Sequence, residues 1–348
     1  MSHALDEILS QPETWAETLA VVPPQWRAIA PHVPFAAGAQ VLFVGCGTSF
    51  YLAQTAAQCF QEITGFATRA IPGSEVFLSS GSTVPRNAPL VAFVISRSGA
   101  SSEAVMAARH LRDVVPGSVT VGVTCTPQSP LGAATDHSIE LFHADDESVV
   151  MTRSFTNMLL ALQLIAVDVA RADGLGEELA RLPDLLRPRL DEMKEFAREL
   201  GERADLTRFV YLGLGPNFGL AAEATLKLKE MTQVDCEPYS PLEFRHGAIS
   251  IVRGDTAVVF LAGERERAYI PDLEAHVAGF GAHVAGVAPY PSQCARTSVL
   301  LPAGLSDVTR SVLYLPPVQL LAHARALALG LDPDAPRNLN HVVVLDAR

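Results

Sequence analysis

The sequence predicts an α/β protein made of two tandem, doubly wound parallel sheets. Three observations carry this. Apolar runs of strand length alternate with helix-patterned stretches along almost the whole chain, as parallel strands joined by crossover helices require. The two halves repeat one plan: V-L-F-V-G-C-G-T-S-F-Y-L-A (41–53) aligns with F-V-Y-L-G-L-G-P-N-F-G-L-A (209–221), sharing G-x-G-x-x-F-x-L-A. The offset is constant and of domain length, which means two copies of one domain and not a solenoid. Finally, 348 residues, 49% of them hydrophobic, suffice for two domains with buried cores.

In order along the chain, residues 2–34 read as amphipathic helical segments broken by Pro12, Pro23, Pro24 and Pro31, packing across the first domain. The apolar run 40–45 is a strand, followed by Cys46-Gly47-Thr48-Ser49 and a helix to about Ile63. Strands are expected at 68–71 and 89–95. The second of these ends in Ser96-Arg97-Ser98-Gly99-Ala100-Ser101-Ser102, and a helix follows over 103–114. Strands at 119–123 and 138–142 complete the first set. An apolar helix (154–172) and a more charged one (182–203) connect the halves. The second half then gives strands at 209–212, 234–237, 257–261 and 283–287, and helices at 218–231, 269–280 and 311–328. A last short strand is expected at 342–345, after the turn-rich L-D-P-D-A-P-R-N-L-N. The domain plan is a helical segment (1–35), a first domain (36–180), a helical linker (181–205) and a second domain (206–348). The G-x-G is not a dinucleotide fingerprint: Phe50 or Phe218 replaces the third glycine, and no acidic residue clearly ends the next strand.

A net charge of −12 argues against a nucleic-acid groove or an anionic membrane surface. It leaves room for a small anion held by backbone N–H groups and hydroxyls. The five cysteines are scattered, without C-x-x-C spacing, which fits a reducing compartment and gives no metal pattern. No basic-then-apolar signal opens the sequence, and no apolar run approaches a membrane span. The expectation is a cytoplasmic protein without metal or cofactor.

Chemistry gathers in two places. In the first half, Gly47-Thr48-Ser49 and Ser96-Arg97-Ser98-Gly99-Ala100-Ser101 each follow a strand and open a helix. Open α/β sheets bind ligands at such strand ends, and helix N-termini there offer unpaired N–H groups. The hydroxyls of Thr48, Ser49, Ser96, Ser98 and Ser101 make a phosphate cradle; the alternative is that they are ordinary N-caps. In the second half, Glu223, Lys227 and Glu230 share one helix face. The chain holds only three lysines (Lys194, Lys227, Lys229), and two lie on this helix. A lysine kept where arginine is otherwise the rule points to a compact, tunable charge. The alternative is a solvated face with an E-K-E ion-pair ladder.

These motifs resemble those of sugar isomerase (SIS) domains. Cys46-Gly47-Thr48-Ser49 and Ser96-Arg97-Ser98-Gly99 look like the paired phosphate loops of that family. E-A-T-L-K-L-K-E (223–230) and E-F-R-H-G (243–247) resemble the isomerase half of glucosamine-6-phosphate synthases. The likeness runs from I-L-S-Q-P-E to the closing P-R-N-L. It implies two flavodoxin-like, three-layer αβα SIS domains and a phosphosugar ligand. By position it implies that Ser49, Ser96, Ser98, Ser101 and Thr48 bind the sugar phosphate, and that Glu230 is the base moving a proton between C1 and C2. Lys227 would lie against the sugar, and His246 would open the ring, contributed across a homodimer interface. Glu243, Asn338 and His341 complete the implied substrate-binding set. A carboxylate beside a lysine, with a histidine of near-neutral pKa, suits aldose–ketose conversion through an enediol or enolamine. His246 alone would otherwise read as a structural histidine.

Three departures shape the expectation. Arg97 stands where the synthases usually have glutamine, which would add charge beside the phosphate and makes it a further substrate-binding candidate. The synthases carry an N-terminal glutaminase domain, whereas this sequence begins Met1-Ser2, so release of ammonia from glutamine by that route is not expected. The family's tail lysine, which forms a Schiff base, is replaced by His341, and no lysine follows Lys229. Imine chemistry from the tail is therefore not expected. The activity implied is a phosphosugar isomerase or deaminase acting on a hexosamine 6-phosphate such as glucosamine 6-phosphate. The alternatives are a fructosamine 6-phosphate deglycase and a non-catalytic phosphosugar sensor.

Overall fold

A computed structural model describes residues 2–345. The chain divides into two compact units. Among the described residues, one comprises Ser10–Glu147, Met151–Pro183 and residues 340–345; the other comprises residues 2–9, Ser148–Val150 and Asp184–Leu339.

The first unit is built on a five-stranded parallel sheet: β1 (Gln40–Gly45), β2 (Ala67–Pro72), β3 (Leu90–Ile95), β4 (Val119–Thr124) and β5 (His137–Glu140), in the order β2-β1-β3-β4-β5. Gln40 stands opposite both Ala67 and Leu90, so the order reverses beside β1. Every residue of β3 is buried, as a central strand covered by helices on both faces must be. The other unit repeats the plan with β6 (Arg208–Gly213), β7 (Asp235–Tyr239), β8 (Thr256–Leu261), β9 (His283–Ala288) and β10 (Thr297–Leu300), ordered β7-β6-β8-β9-β10 and again all parallel. Counted from the first strand of each sheet, both read 2-1-3-4-5, the flavodoxin-like order with its ligand crevice where the order reverses.

The repeated G-x-G has a steric cause. A Cβ at Gly45 would lie 2.2 Å from the Ser49 carbonyl oxygen, and one at Gly213 would lie 2.1 Å from that of Asn217. The following glycines, Gly47 and Gly215, sit at φ +55° and +58°, a region side chains avoid. Each pair turns the chain from a strand end straight into a helix. Gly45→Ala is expected to cost about 1–3 kcal/mol, because the colliding atom is backbone and cannot swing away; urea unfolding measures this.

Four sequence expectations need correction. The helix Gln11–Ile29 runs through Pro23 and Pro24 without a break. The donors those prolines lack are offset by a buried face: Trp15 Nε1 donates to Thr156 Oγ1 at 2.9 Å, and Trp26 Nε1 to Asp168 Oδ2 at 2.8 Å. The single helix expected over 182–203 is three pieces, Leu182–Leu186, a 3₁₀ turn at Arg187–Arg189, and Leu190–Gly201, because Pro188 supplies no N–H to continue the ladder. Residues 342–345 form no strand. The Arg153–Ala170 helix is long and apolar enough to cross a membrane, contrary to the expectation, but 67% of it is buried; it packs on the helices Gln11–Ile29 and Thr48–Thr64 as a core helix.

In the second-sheet unit, Asp334 accepts hydrogen bonds from the Ser2 hydroxyl (2.9 Å) and the N–H groups of His3 (2.9 Å) and Ala4 (2.8 Å), so it caps the helix His3–Leu9. His323 Nε2 lies 3.2 Å from the same Ser2 hydroxyl. Burial lowers its pKa from the ordinary 6.5, although Asp334 pulls it upward. A histidine depressed in the folded state contributes its full stability above the unfolded pKa and loses it as pH falls below that value. Stability measured from about pH 7 to about pH 5 is therefore expected to fall less steeply in His323→Gln than in the wild type; equal slopes would contradict this.

Candidate active site

At the carboxyl ends of β1 and β3, the two hydroxyl-rich loops of the first unit take defined positions. Thr48 and Ser49 open the Thr48–Thr64 helix and are buried, and Ser49 Oγ lies 4.0 Å from Met151 Sδ. Ser96 is buried at the end of β3, and its hydroxyl donates to Ser101 Oγ at 3.4 Å. Ser98 Oγ accepts the Ala100 N–H at 3.2 Å. Gly99, at φ +59°, turns this loop tightly: a Cβ there would meet Ser129 Oγ at 2.2 Å. Ser101 occupies the N-cap position of the Ser102–Val114 helix yet makes no side-chain cap bond. The N-cap alternative therefore fails for Ser101, and Ser96 and Ser101 face each other instead.

Arg97 is almost fully buried in the same loop. Its carbonyl accepts the Thr124 hydroxyl and the Cys125 N–H, both at 2.9 Å. Its guanidinium lies 3.2 Å from both His341 Nδ1 and the His341 carbonyl oxygen, and Nε is 3.9 Å from Asp145. The tail continues over the adjacent helix start: the Ser102 N–H donates to the Val343 carbonyl at 3.2 Å, and the Leu345 N–H donates to Ser102 Oγ at 3.0 Å. These bonds replace the strand expected at 342–345. Burial, and then the Glu103 charge, push the thiol of Cys46, between β1 and the turn at Gly47, up to about 11.

The other cluster lies on the helix Pro216–Thr232. Lys227 and Glu223 are fully buried, and 15% of the Glu230 side chain reaches solvent. Lys227 Nζ is 3.5 Å from Glu223 Oε1 and donates to Glu230 Oε2. A solvated ion-pair ladder is thereby excluded: of residues 223–230 only Lys229 is exposed. One buried ammonium is held between two carboxylates, and only one of these reaches outward. Glu243 stands exposed on the short helix Pro241–Phe244 and His246 on the turn after it, with the His246 N–H donating to the Glu243 carbonyl at 2.9 Å. Among the described residues neither side chain joins the Lys227 cluster by hydrogen bond or ion pair. Asn338 is exposed, at φ +67°.

Sequence reading missed how the second copy of the turn differs from the first. In the second copy Pro216 and Asn217 replace Thr48 and Ser49, and Asn217 Nδ2 donates to the Leu261 carbonyl at 3.0 Å. Beyond β8, Glu266 accepts the Gly263 N–H at 2.8 Å and Asp307 accepts the Glu264 N–H at 3.1 Å. Arg310 pairs with Asp307 at 2.6 Å. The protein's own carboxylates thus occupy the donors that a bound anion would use. The absence of hydroxyls in G-L-G-P-N was the readable signal.

The chain is similar to known proteins along most of its length. Residues 35–168 match the SIS domain family. The isomerizing glutamine–fructose-6-phosphate aminotransferase of Gloeobacter violaceus is 30% identical over 324 residues, covering 88% of this chain and 52% of that protein. Its counterpart from Pyrobaculum aerophilum is 28% identical, covering 98% of this chain and 57% of its own. The chain thus spans about half the length of the curated relatives it matches. The glucosamine-6-phosphate deaminase of Thermotoga maritima superposes with a TM-score of 0.83 at 27% identity, covering 99% of this chain and 100% of that one. The tagatose-6-phosphate ketose/aldose isomerase of Escherichia coli gives 0.87 at 25% identity, covering 96% and 94%. With two sheets of one strand order and one repeated G-x-G turn, the chain has the fold of two tandem SIS domains, its first half matches that family, and it is similar to the isomerase half of the aminotransferases.

Proposed function

We propose that this protein is a cytoplasmic phosphosugar isomerase and deaminase acting on a hexosamine 6-phosphate such as glucosamine 6-phosphate. The observation that carries the reading is the Glu223–Lys227–Glu230 cluster. Burying an ammonium between two carboxylates costs desolvation that binding alone does not call for. It leaves one carboxylate, Glu230, fixed in place and partly open.

In the open-chain aldose form, Glu230 takes the proton from C2, giving an enolamine, and returns it to C1. The product is a C2 imine; water adds to it, and ammonia leaves with the ketose phosphate. Lys227 holds Glu230 in one rotamer and supplies positive charge as the enolamine oxygen becomes electron-rich. The hydroxyls of Thr48, Ser49, Ser96, Ser98 and Ser101 account for the phosphate, and Arg97 adds a charge-assisted donor. His246, exposed on its turn, opens the sugar ring from the neighbouring subunit of a homodimer. Glu243, Asn338 and His341 complete the substrate contacts.

The test is ammonia release by the purified protein given glucosamine 6-phosphate, beside parallel reactions with fructosamine 6-phosphates. Release from glucosamine 6-phosphate supports the deaminase. Release of an amino acid from the fructosamine phosphate alone would replace it with a deglycase, and inertness toward both, with phosphosugar binding retained, would leave a sensor. Within the same reading, Ser96→Ala is expected to raise KM for the phosphosugar by about tenfold with little change in kcat, since it removes one neutral hydrogen bond to the phosphate. An unchanged KM would remove Ser96 from the phosphate site.

A further inference from the structure

Beyond β8 and β9, in the unit built on the second sheet, lies a cavity of about 80 Å³ bordered by Phe260, Ala262, Ala288, Glu274, Tyr290 and Ser292. Its apolar wall is Phe260, Ala262 and Ala288. Its polar groups come from the helix Ile270–Gly279 and the loop after β9. Glu274 is 2% exposed, and its carboxylate accepts the Ser292 hydroxyl at 2.7 Å. Tyr290 is 7% exposed, and its hydroxyl has no hydrogen-bond partner among the described residues. Buried phenol hydroxyls are normally paired, and leaving one unmade costs about 1–3 kcal/mol.

The surroundings are negative. Burial and then the carboxylates of Glu266, Glu274 and Glu264 push the Tyr290 hydroxyl up, so it stays neutral. Two cations oppose them: Arg267, whose guanidinium lies 5.0 Å from the centre of the Tyr290 ring and pairs with Glu264 at 3.3 Å, and Arg265, which acts on Glu266; the charge on Glu274 is left without a cation of its own. A ligand that completes this site is therefore a cation able to donate to both a carboxylate and a phenol oxygen. Among the described residues no three His, Cys, Asp or Glu side chains gather to hold a metal ion. A water needs about 10–15 Å³ by the same kind of measure, so the cavity takes only a few heavy atoms.

We propose that this cavity binds a small primary ammonium, either ammonium itself or an ion the size of methylammonium, donating to Glu274 and to the Tyr290 oxygen. The carbon of an alkylammonium would lie against Phe260 and Ala288. The proposal is independent of the phosphosugar reading, and its test contains no sugar.

The test is calorimetric titration of the full chain with methylammonium chloride at constant ionic strength, with tetramethylammonium as the comparison ion. The expected result is saturable binding of methylammonium and none of tetramethylammonium, which is too bulky and has no N–H to donate. Tyr290→Phe is expected to weaken methylammonium about fivefold or more, and Glu274→Gln by more than about tenfold. Without the amine, Tyr290→Phe should be at least as stable as the wild type, because it deletes only an unpartnered hydroxyl. Thus Tyr290→Phe carries the test even if Glu274→Gln folds poorly. No saturable binding, an equal response to tetramethylammonium, or wild-type affinity in Tyr290→Phe would overturn the proposal.

Discussion

Glu230→Gln is expected to lower turnover of glucosamine 6-phosphate by about 10²–10⁴-fold, the usual contribution of a positioned general base. The substitution keeps the shape of the side chain and leaves an amide oxygen to accept from Lys227, so the helix Pro216–Thr232 should fold as before. KM should change little, because the glutamate acts on a carbon-bound proton and not on the phosphate. Steady-state ammonia release beside circular dichroism separates loss of chemistry from loss of structure. A fall of less than about tenfold would remove Glu230 from the base role.

Lys227→Ala should be the most destabilising single change in this helix, at about 3–5 kcal/mol. It leaves Glu223, fully buried, without the ammonium 3.5 Å away, and it opens a void in a stretch where Leu228 and Ala224 are also buried. Restoring balance with Glu223→Leu and Lys227→Met together should recover much of that loss, since a buried ion pair and an apolar pair of similar volume often differ little. Urea unfolding of the two proteins distinguishes this from a purely structural lysine. If the double variant is as unstable as Lys227→Ala, the cost is lost packing and not an uncompensated charge. Activity should stay low in both, because Glu230 has lost the group that fixes it.

The parts of this molecule that were readable in advance are those where local sterics leave one solution. Gly45 and Gly213 each admit the first-turn carbonyl of the next helix, and Gly47 and Gly215 each take a positive φ, so the repeat announces the same turn twice. The central strands are unbroken apolar runs because both of their faces are covered. β10 escaped notice because Thr297–Leu300 alternates buried and exposed residues on a four-residue edge strand. Spacing placed Glu223, Lys227 and Glu230 on one face but was silent about depth: apolar residues surround that helix on nearly every side, so no polar stripe marks which face meets water. The Arg97–His341 contact joins residues 244 positions apart, and no periodicity reports such a pair. Nor did the prolines at 23 and 24 predict a continuous helix, since the buried tryptophan hydrogen bonds that hold it are made to another helix.

The central claim is that Glu230 moves a proton between C1 and C2 of a bound phosphosugar, and solvent exchange reports that step without any need for net turnover. The measurement is proton NMR of glucosamine 6-phosphate, and separately of fructose 6-phosphate, incubated with the protein in D₂O. Loss of the C2 proton signal from the aldose, or of a C1 proton signal from the ketose, is predicted with the wild type and not with Glu230→Gln. Phosphosugar binding without exchange at either carbon would contradict the account and leave a protein that holds its ligand without transforming it.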